Sequence, residues 1–466
     1  MIGRRHYSAS SARIFASISN VHIHCYAPWY MILNQLHSSP ARSSMTPTEE
    51  DVLCTTLDDC TLSPNSSDAA VFELIDCSVL PSKEDEWKHS SNAIERPVGD
   101  GGHVQRAWEY WRNLGEPKFI VAPMVDQSEL PFRMLCRKYG ATAAYTPMLH
   151  SRLFAEDPKY RRIEFTTCKE DRPLFVQFCA NDPERLLAAA QVVQPFCDYV
   201  DINLGCPQRI AKRGNYGAFL MDNLPIVKSL VENLASNLSV PVSCKIRIFP
   251  LLEDTIAYAK MLEAAGCSLL AVHGRTRDQK DGSNRADWAT IKAVKKALKI
   301  PVLANGNIRH LQDVYDCLRE TGADGILSAE SILGNPALFA GYQLITEQSD
   351  NVISQSGVLE KYEKLKHSEH GFEKALDQAT LLLEYFDLCE TYPVPWRMIR
   401  AHVHRMLGDW FRIHPDIREE LNKQSKLTFE WLRDMVDRLV KRDIKLVLRQ
   451  AIPDELVHKS LPKESL

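Results

Sequence analysis

From Lys118 onward, short apolar runs alternate with segments of helical periodicity. The runs are Phe119–Ala122, Ala143–Tyr145, Leu174–Phe178, Tyr199–Ile202, Val242–Ile246, Leu269–Val272, Val302–Ala304 and Gly325–Leu327. Between them lie Pro183–Val193, Pro225–Leu234, Asp254–Ala265, Trp288–Leu298 and Leu311–Glu320. Gly140, Gly266 and Gly322 stand at helix ends, where a left-handed C-cap is wanted. Eight strand–helix units over roughly 230 residues predict an α/β fold, a TIM (β/α)8 barrel within residues 102–345. An open doubly wound sheet is the alternative. It calls for a Gly-rich dinucleotide turn after an early strand, and Ala122-Pro123-Met124-Val125 is not one.

After Ser356 the pattern changes. Helical spacing runs through Phe372–Cys389, Trp396–Phe411, Ile417–Leu421 and Thr428–Leu439, with no strand signal between them. This predicts a C-terminal all-helical domain over residues 356–450, with a tail at 451–466. One of its helices carries Arg397, Arg400, His402, His404, Arg405 and Arg412 among Trp396, Trp410 and Phe411. Two readings stand: an amphipathic helix with a solvated basic face, or a nucleic-acid surface. Lys441, Arg442, Lys445 and Arg449 add weakly to the second.

Composition changes the picture mainly at the N-terminus. Met1 to Thr48 holds no Asp or Glu but includes Arg4, Arg5, Arg13 and Arg42 among many serines. That is the composition of a mitochondrial transit peptide; the alternative is a disordered extension. Residues 1–101 are therefore expected to be a disordered or targeting extension. The location is expected to be cytoplasmic or nuclear, and mitochondrial if residues 1–48 act as a transit peptide. The chain of 466 residues has a net charge of −4, so any nucleic-acid contact must use a local basic patch. Its 13 cysteines include no CxxC pair, which favours neither a disulfide framework nor a zinc ribbon. No run approaches the roughly 20 apolar residues that span a membrane.

The candidate chemistry lies where strands end. Asn203-Leu204-Gly205-Cys206-Pro207-Gln208 sets a thiol on a Gly/Pro-framed loop at the C-terminal end of the fourth strand, the barrel face that carries active sites. Gln177, Lys245, Arg247, His273-Gly274-Arg275, Asn305-Gly306-Asn307 and Ala329-Glu330 belong to the same end. A lysine inside an apolar strand needs an anionic partner. A flavin ring edge, a sugar phosphate or a Schiff base would each answer for Lys245. Gly-framed segments after strands seven and eight fit the barrel's usual phosphate site.

Taken together, Ala122-Pro123-Met124, Leu130-Pro131-Phe132-Arg133, Gln177, Asn203-Leu204-Gly205-Cys206-Pro207, Lys245-Ile246-Arg247, His273-Gly274-Arg275-Thr276 and Asn305-Gly306-Asn307 resemble the tRNA-dihydrouridine synthase family. The resemblance covers roughly Lys118 to Phe339. Tyr145-Thr146-Pro147-Met148, Gln208 to Gly214 and Ser328-Ala329-Glu330 resemble its eukaryotic subfamily acting on positions 16 and 17 of the tRNA D-loop. Ser331 stands where that pattern expects glycine.

The resemblance implies an oxidoreductase that uses FMN, reduced by NADPH, to reduce the C5–C6 bond of uridine. It implies that Pro123, Met124 and Val125 line the flavin, and that Gln177 and Lys245 meet its polar edge. His273, Asn305, Gly306, Asn307, Ala329 and Glu330 would hold the phosphate end, and Cys206 would be the proton donor. The D-loop of tRNA is the expected partner, with Lys212, Arg213, Arg397, Arg400 and Arg405 as RNA contacts and no metal. The alternatives are a small-molecule flavin-dependent pyrimidine dehydrogenase, a Schiff-base aldolase, or a non-catalytic tRNA-binding protein.

Overall fold

The computed structural model describes residues 102–280, 284–344, 376–442 and 446–449; side chains of 342–344 and 446–449 are not described. The expected extension at 1–101 and tail at 451–466 lie outside the described residues.

Eight parallel strands close into a barrel: β1 (Phe119–Val121), β2 (Ala143–Tyr145), β3 (Leu174–Cys179), β4 (Tyr199–Leu204), β5 (Val242–Ile248), β6 (Leu269–Thr276), β7 (Val302–Asn305) and β8 (Gly325–Ser328). Each pairs with its neighbour in chain order. β8 pairs back to β1 through Ile326 and Phe119, which excludes an open sheet. The expected TIM barrel is the fold. A two-residue strand, Leu149–His150, adds to the C-terminal end of β3. Gly140, Gly266 and Gly322 have φ of 94°, 105° and 69°, in the left-handed range.

Side chains alternate along a strand, so every second residue points into the barrel. Toward the strand N-termini these residues are apolar. Ile120, Tyr145, Phe175, Tyr199, Leu269, Leu303 and their neighbours form one buried cluster, which Trp111 joins from the helix Gly102–Asn113. Trp108 of that helix donates to the Lys299 carbonyl at 2.7 Å. Two residues further along, the interior turns polar at Gln177, Asp201 and Ser243, all fully buried. Asn203, Lys245, His273 and Asn305 follow. The outward residues Val200, Ile202, Leu204, Cys244, Ile246 and Val272 belong to the larger core. One end of the barrel is thus packed shut, and the other gathers polar groups. β4, β5 and β6 run past their apolar runs to Leu204, Ile248 and Thr276.

The C-terminal region is built on helices Gln378–Thr391, Trp396–Met406, Gly408–Ile413, Pro415–Lys423 and Phe429–Arg442. Two expectations are corrected here. The helix expected over Trp396–Phe411 is two helices parted at Leu407, just before Gly408, a poor helix former. The region also contains strands: Leu446–Arg449 pairs antiparallel with Tyr342–Leu344 and with Leu376–Asp377. Runs this short, paired across roughly 70 to 107 residues of sequence, carry no local signal. No described helix is long and apolar enough to cross a membrane.

Barrel and helices meet at a buried polar junction. Glu129, heading the helix Leu130–Lys138, accepts from Tyr385 Oη at 2.7 Å and lies 3.0 Å from His402 Nε2. All three are buried, and Phe132 stacks on His402 with centroids 4.4 Å apart. Burial would raise the Glu129 carboxyl, but His402 and Tyr385 outweigh it and hold the group below its ordinary value. A depressed carboxylate contributes stability above the ordinary glutamate range, and the contribution is lost as pH falls through the depressed value. Glu129→Ala leaves His402 buried without its carboxylate and Tyr385 with Cys389 as its remaining partner. It should lower the unfolding free energy by about 3 kcal/mol in urea denaturation at neutral pH, with the difference shrinking below pH ~4.

Candidate active site

The register of β3, β4 and β5 aligns Gln177 with Asp201 and Asp201 with Ser243. Gln177 Nε2 donates to Asp201 Oδ2 at 2.8 Å, and Ser243 Oγ donates to Asp201 Oδ1 at 2.7 Å. Gln177 Oε1 accepts from Asn203 Nδ2 at 2.8 Å. Asn203 Oδ1 in turn accepts the backbone N–H groups of Gly205 and Cys206 at 3.1 and 2.9 Å. Burial pushes the Asp201 carboxyl up to about 6, against Gln177, Ser243 and the Lys245 charge, which pull it down.

The Cys206 loop is held from several sides. Arg247 Nε donates to the Gly205 carbonyl at 3.0 Å, and its Nη1 donates to the Thr276 and Gln279 carbonyls. The Cys206 carbonyl accepts from Ala218 N at 3.0 Å. Gly217 has φ of 65°, and a Cβ there would lie 2.8 Å from the Cys206 carbonyl oxygen. Burial pushes the Cys206 thiol up, while the Gln208 backbone N–H, Arg247 and Lys245 pull it down; burial wins. The group is therefore a thiol at neutral pH. Lys212 and Arg213, adjacent in sequence, are exposed on the helix Arg209–Arg213 and are not the cations that act on it.

Lys245 Nζ donates to Asn305 Oδ1 at 3.0 Å, and Asn305 Nδ2 donates to the Leu327 carbonyl at 2.9 Å. Burial and the Arg247 charge pull Lys245 down to about 8, although Asp201 and Cys206 oppose this. Burial, with Lys245, Arg247 and Arg275 around it, holds His273 well below its ordinary value. Its ring is thus neutral, and Nε2 accepts from Arg275 Nη1 at 2.9 Å. Arg275 also donates to Asn307 Oδ1 at 3.1 Å, and Trp288 Nε1 donates to the Gly306 carbonyl. A Cβ on Gly306 would lie 2.6 Å from that of Ala286.

Pro123, Met124 and Val125 form the loop after β1, with Val125 49% exposed; Met124 N donates to Ser128 Oγ. Ala329 packs against the barrel's interior cluster, and exposed Glu330 opens the short helix Glu330–Gly334. The barrel end thus brings Gln177, Asn203, Cys206, Lys245, His273, Asn305, Gly306 and Asn307 into linked contacts. Among the described residues, no group of three or more His, Cys, Asp or Glu side chains could hold a metal.

The dihydrouridine synthase (Dus) family profile matches residues 120–405, which span every barrel residue named above except Phe119. The chain belongs to the dihydrouridine synthase family. It is an enzyme, an oxidoreductase, of that family. It is 45% identical over 327 residues to "tRNA-dihydrouridine(16/17) synthase [NAD(P)(+)]-like" of Rattus norvegicus, covering 69% of this chain and 67% of the relative. It is 40% identical over 364 residues to "tRNA-dihydrouridine(16/17) synthase [NAD(P)(+)]" of Schizosaccharomyces pombe, covering 77% and 86%. The Homo sapiens "tRNA-dihydrouridine(20a/20b) synthase [NAD(P)+]-like" aligns at 43% identity with 48% of this chain. Among dihydrouridine synthases the chain thus resembles the 16/17 subfamily.

This dihydrouridine synthase chain also holds groups that its sequence alone did not single out. Asp201 reads as one more member of a strand, and Ser243 as a neutral one. Only the period-two pattern that turns both inward marks them. The basic helix is the other surprise. His402, Trp410 and Phe411 are buried, so a third of the Arg/His/aromatic stripe is core. Arg397 pairs with Asp126 at 3.1 Å and Glu164 at 2.6 Å, bridging to the loop after β1. Arg400 donates to the Leu421 and Gln424 carbonyls within its own domain. Arg405 is half-buried on the same helix.

Gly217→Ala should cost about 1–2 kcal/mol from its left-handed backbone alone and move Cys206 as well. Thermal melting should show a drop of a few degrees, while uridine reduction should fall far more than that drop explains. Arg397→Ala should lower stability by about 2 kcal/mol, because it strands two half-buried carboxylates. Urea denaturation checks this; an unchanged midpoint would mean the bridge contributes nothing.

Proposed function

We propose that this chain reduces the C5–C6 double bond of uridine in the D-loop of tRNA, at positions 16 and 17, with FMN as cofactor and NADPH as reductant. The observation that carries this reading is a protonated thiol, Cys206, on a loop held by Arg247 and close to Lys245, on a dihydrouridine synthase barrel.

The residues present fit a flavin mononucleotide. Lys245, Arg247 and Arg275 bring three cations to one barrel end, and burial, with the Arg247 charge, pulls Lys245 down to about 8. An anionic ring edge there restores the balance. Lys245 and Gln177 would hold that edge. Gly306 and Asn307, with His273, Asn305, Ala329 and Glu330, would hold the phosphate end, and Pro123, Met124 and Val125 would line the ring. When bound and reduced, FMN supplies the hydride that uracil C6 accepts.

The chain's own residues do the rest. As hydride reaches C6, negative charge develops toward C5 and O4. The Cys206 Sγ–H then gives its proton to C5, the C5–C6 double bond becomes single, and solvent reprotonates the thiolate. Burial keeps the thiol protonated at neutral pH, which a general acid requires. The target base must leave its stack to reach the barrel mouth. Lys212 and Arg213, exposed just past the loop, meet RNA phosphates in this reading. Arg397 and Arg400 act first as struts, and Arg405 lies on the same helix.

Cys206→Ala should retain FMN and NADPH oxidation while losing uridine reduction by about 100-fold or more, read as dihydrouridine formed on unmodified tRNA in single turnover. An alanine variant of wild-type activity sinks the assignment. FMN affinity of the flavin-free protein should weaken as pH rises above about 8, where Lys245 loses its proton. Lys245→Gln should bind weakly with a flattened pH dependence. An unchanged pH dependence would remove Lys245 from the flavin edge.

A further inference from the structure

Asp201 has no part in the chemistry above, yet it lies fully buried where a barrel strand would ordinarily carry an apolar side chain. Its two oxygens meet two donors, Gln177 Nε2 and Ser243 Oγ. An ionised carboxylate can only accept. The Gln177 atom facing it must therefore be the nitrogen, which turns Gln177 Oε1 toward Asn203. That oxygen can only accept as well, so Asn203 must present Nδ2 to it at 2.8 Å. Asn203 Oδ1 is then left facing the Gly205 and Cys206 N–H groups. A donor–acceptor direction passes from one carboxylate through two amides to the loop. Either amide, flipped, would set N–H against N–H at the loop or oxygen against oxygen at Asp201.

We propose that Asp201 is a positioning residue for the Cys206 loop, the acceptor-only group that fixes the direction of the Gln177 and Asn203 amides and so holds the backbone that carries the thiol. The positioning role deepens the reading of Cys206 as proton donor; its structural arm stands without that reading. Asp201→Asn removes the constraint, since an amide can donate or accept on either side. Moving the carboxylate rather than deleting it, in Gln177→Glu with Asp201→Asn, restores it. The carboxylate moved to position 177 then accepts from the new amide at position 201 on one side and from Asn203 on the other. Asn203 Oδ1 again faces the loop, and the charge of the barrel end is unchanged.

The test is the rate at which iodoacetamide alkylates Cys206 in the purified protein, followed on the Cys206 peptide by mass spectrometry. Limiting rates are taken from the full pH profile, so that a changed thiolate fraction does not count. Asp201→Asn should raise the limiting rate about fivefold or more, the scale of one lost hydrogen bond, and the swap should return it to within about twofold of wild type. Asp201→Asn at the wild-type limiting rate, or a swap that stays as fast as the single variant, overturns the proposal. If Asp201→Asn does not fold, the swap decides alone: a folded swap with wild-type alkylation supports the proposal, and a swap that also fails to fold overturns it. Single-turnover uridine reduction is measured beside Cys206→Ala. An active alanine variant removes the proton-donor role and leaves the alkylation result standing, so the two failures are told apart.

Discussion

A closed parallel barrel must fill its interior with side chains, and a charged one it encloses must find its partners inside. Asp201 is the hardest case here, a carboxylate with no exposed surface. Its desolvation is offset in part by Gln177, Ser243 and the nearby Lys245 charge. Because a buried network is favourable only when each member is satisfied, those partners cannot drift. The same satisfaction sets the amide of Gln177, the amide of Asn203 and the backbone of the Cys206 loop. Rigidity at the site thus follows from a constraint two residues deeper in the barrel.

A second constraint links the helical region to the same barrel end. Glu129 reaches Tyr385 and His402, and Asp126 reaches Arg397. Both acidic residues follow Met124 and Val125 within a few positions, and Asp126 has φ of 58°, unusual for a residue other than glycine. The loop after β1 is thus tied to the helices on one side and to Ser128 through Met124 on the other. The helical region and the loop after β1 are thus joined by two buried or half-buried polar contacts. This gives a buried histidine and a half-buried arginine structural roles that charge alone did not suggest.

Much of the barrel was legible because its signals are local. Eight apolar runs, helical spacing between them and glycines at φ near 70–105° recur as one repeated design. The residues that line the mouth were legible for a related reason. Gln177, Asn203, Lys245, His273 and Asn305 are polar residues in apolar strands, and such residues must have partners. What the chain did not disclose was which partners. Asp201 and Ser243 meet Gln177 only through register across three strands, and Arg397 meets Glu164 across 233 positions. The small antiparallel sheet escaped notice likewise, since strands of two to four residues have no periodicity to read. The break at Leu407 was hidden because apolar spacing continues through it to Trp410 and Phe411, both buried. Composition also overstated the basic helix: a count of arginines cannot tell a guanidinium facing solvent from one donating to the carbonyls that end a neighbouring helix, as Arg400 does.

The central claim is that this barrel, with its neutral thiol beside a cationic ring site, makes dihydrouridine in the tRNA D-loop. The most direct measurement is a position-by-position map of dihydrouridine in tRNA from cells lacking the chain, with and without the wild-type chain returned. The account predicts loss at positions 16 and 17, recovery when the chain is restored, and no change at 20a and 20b. Unchanged dihydrouridine at 16 and 17 in cells lacking the chain would contradict it.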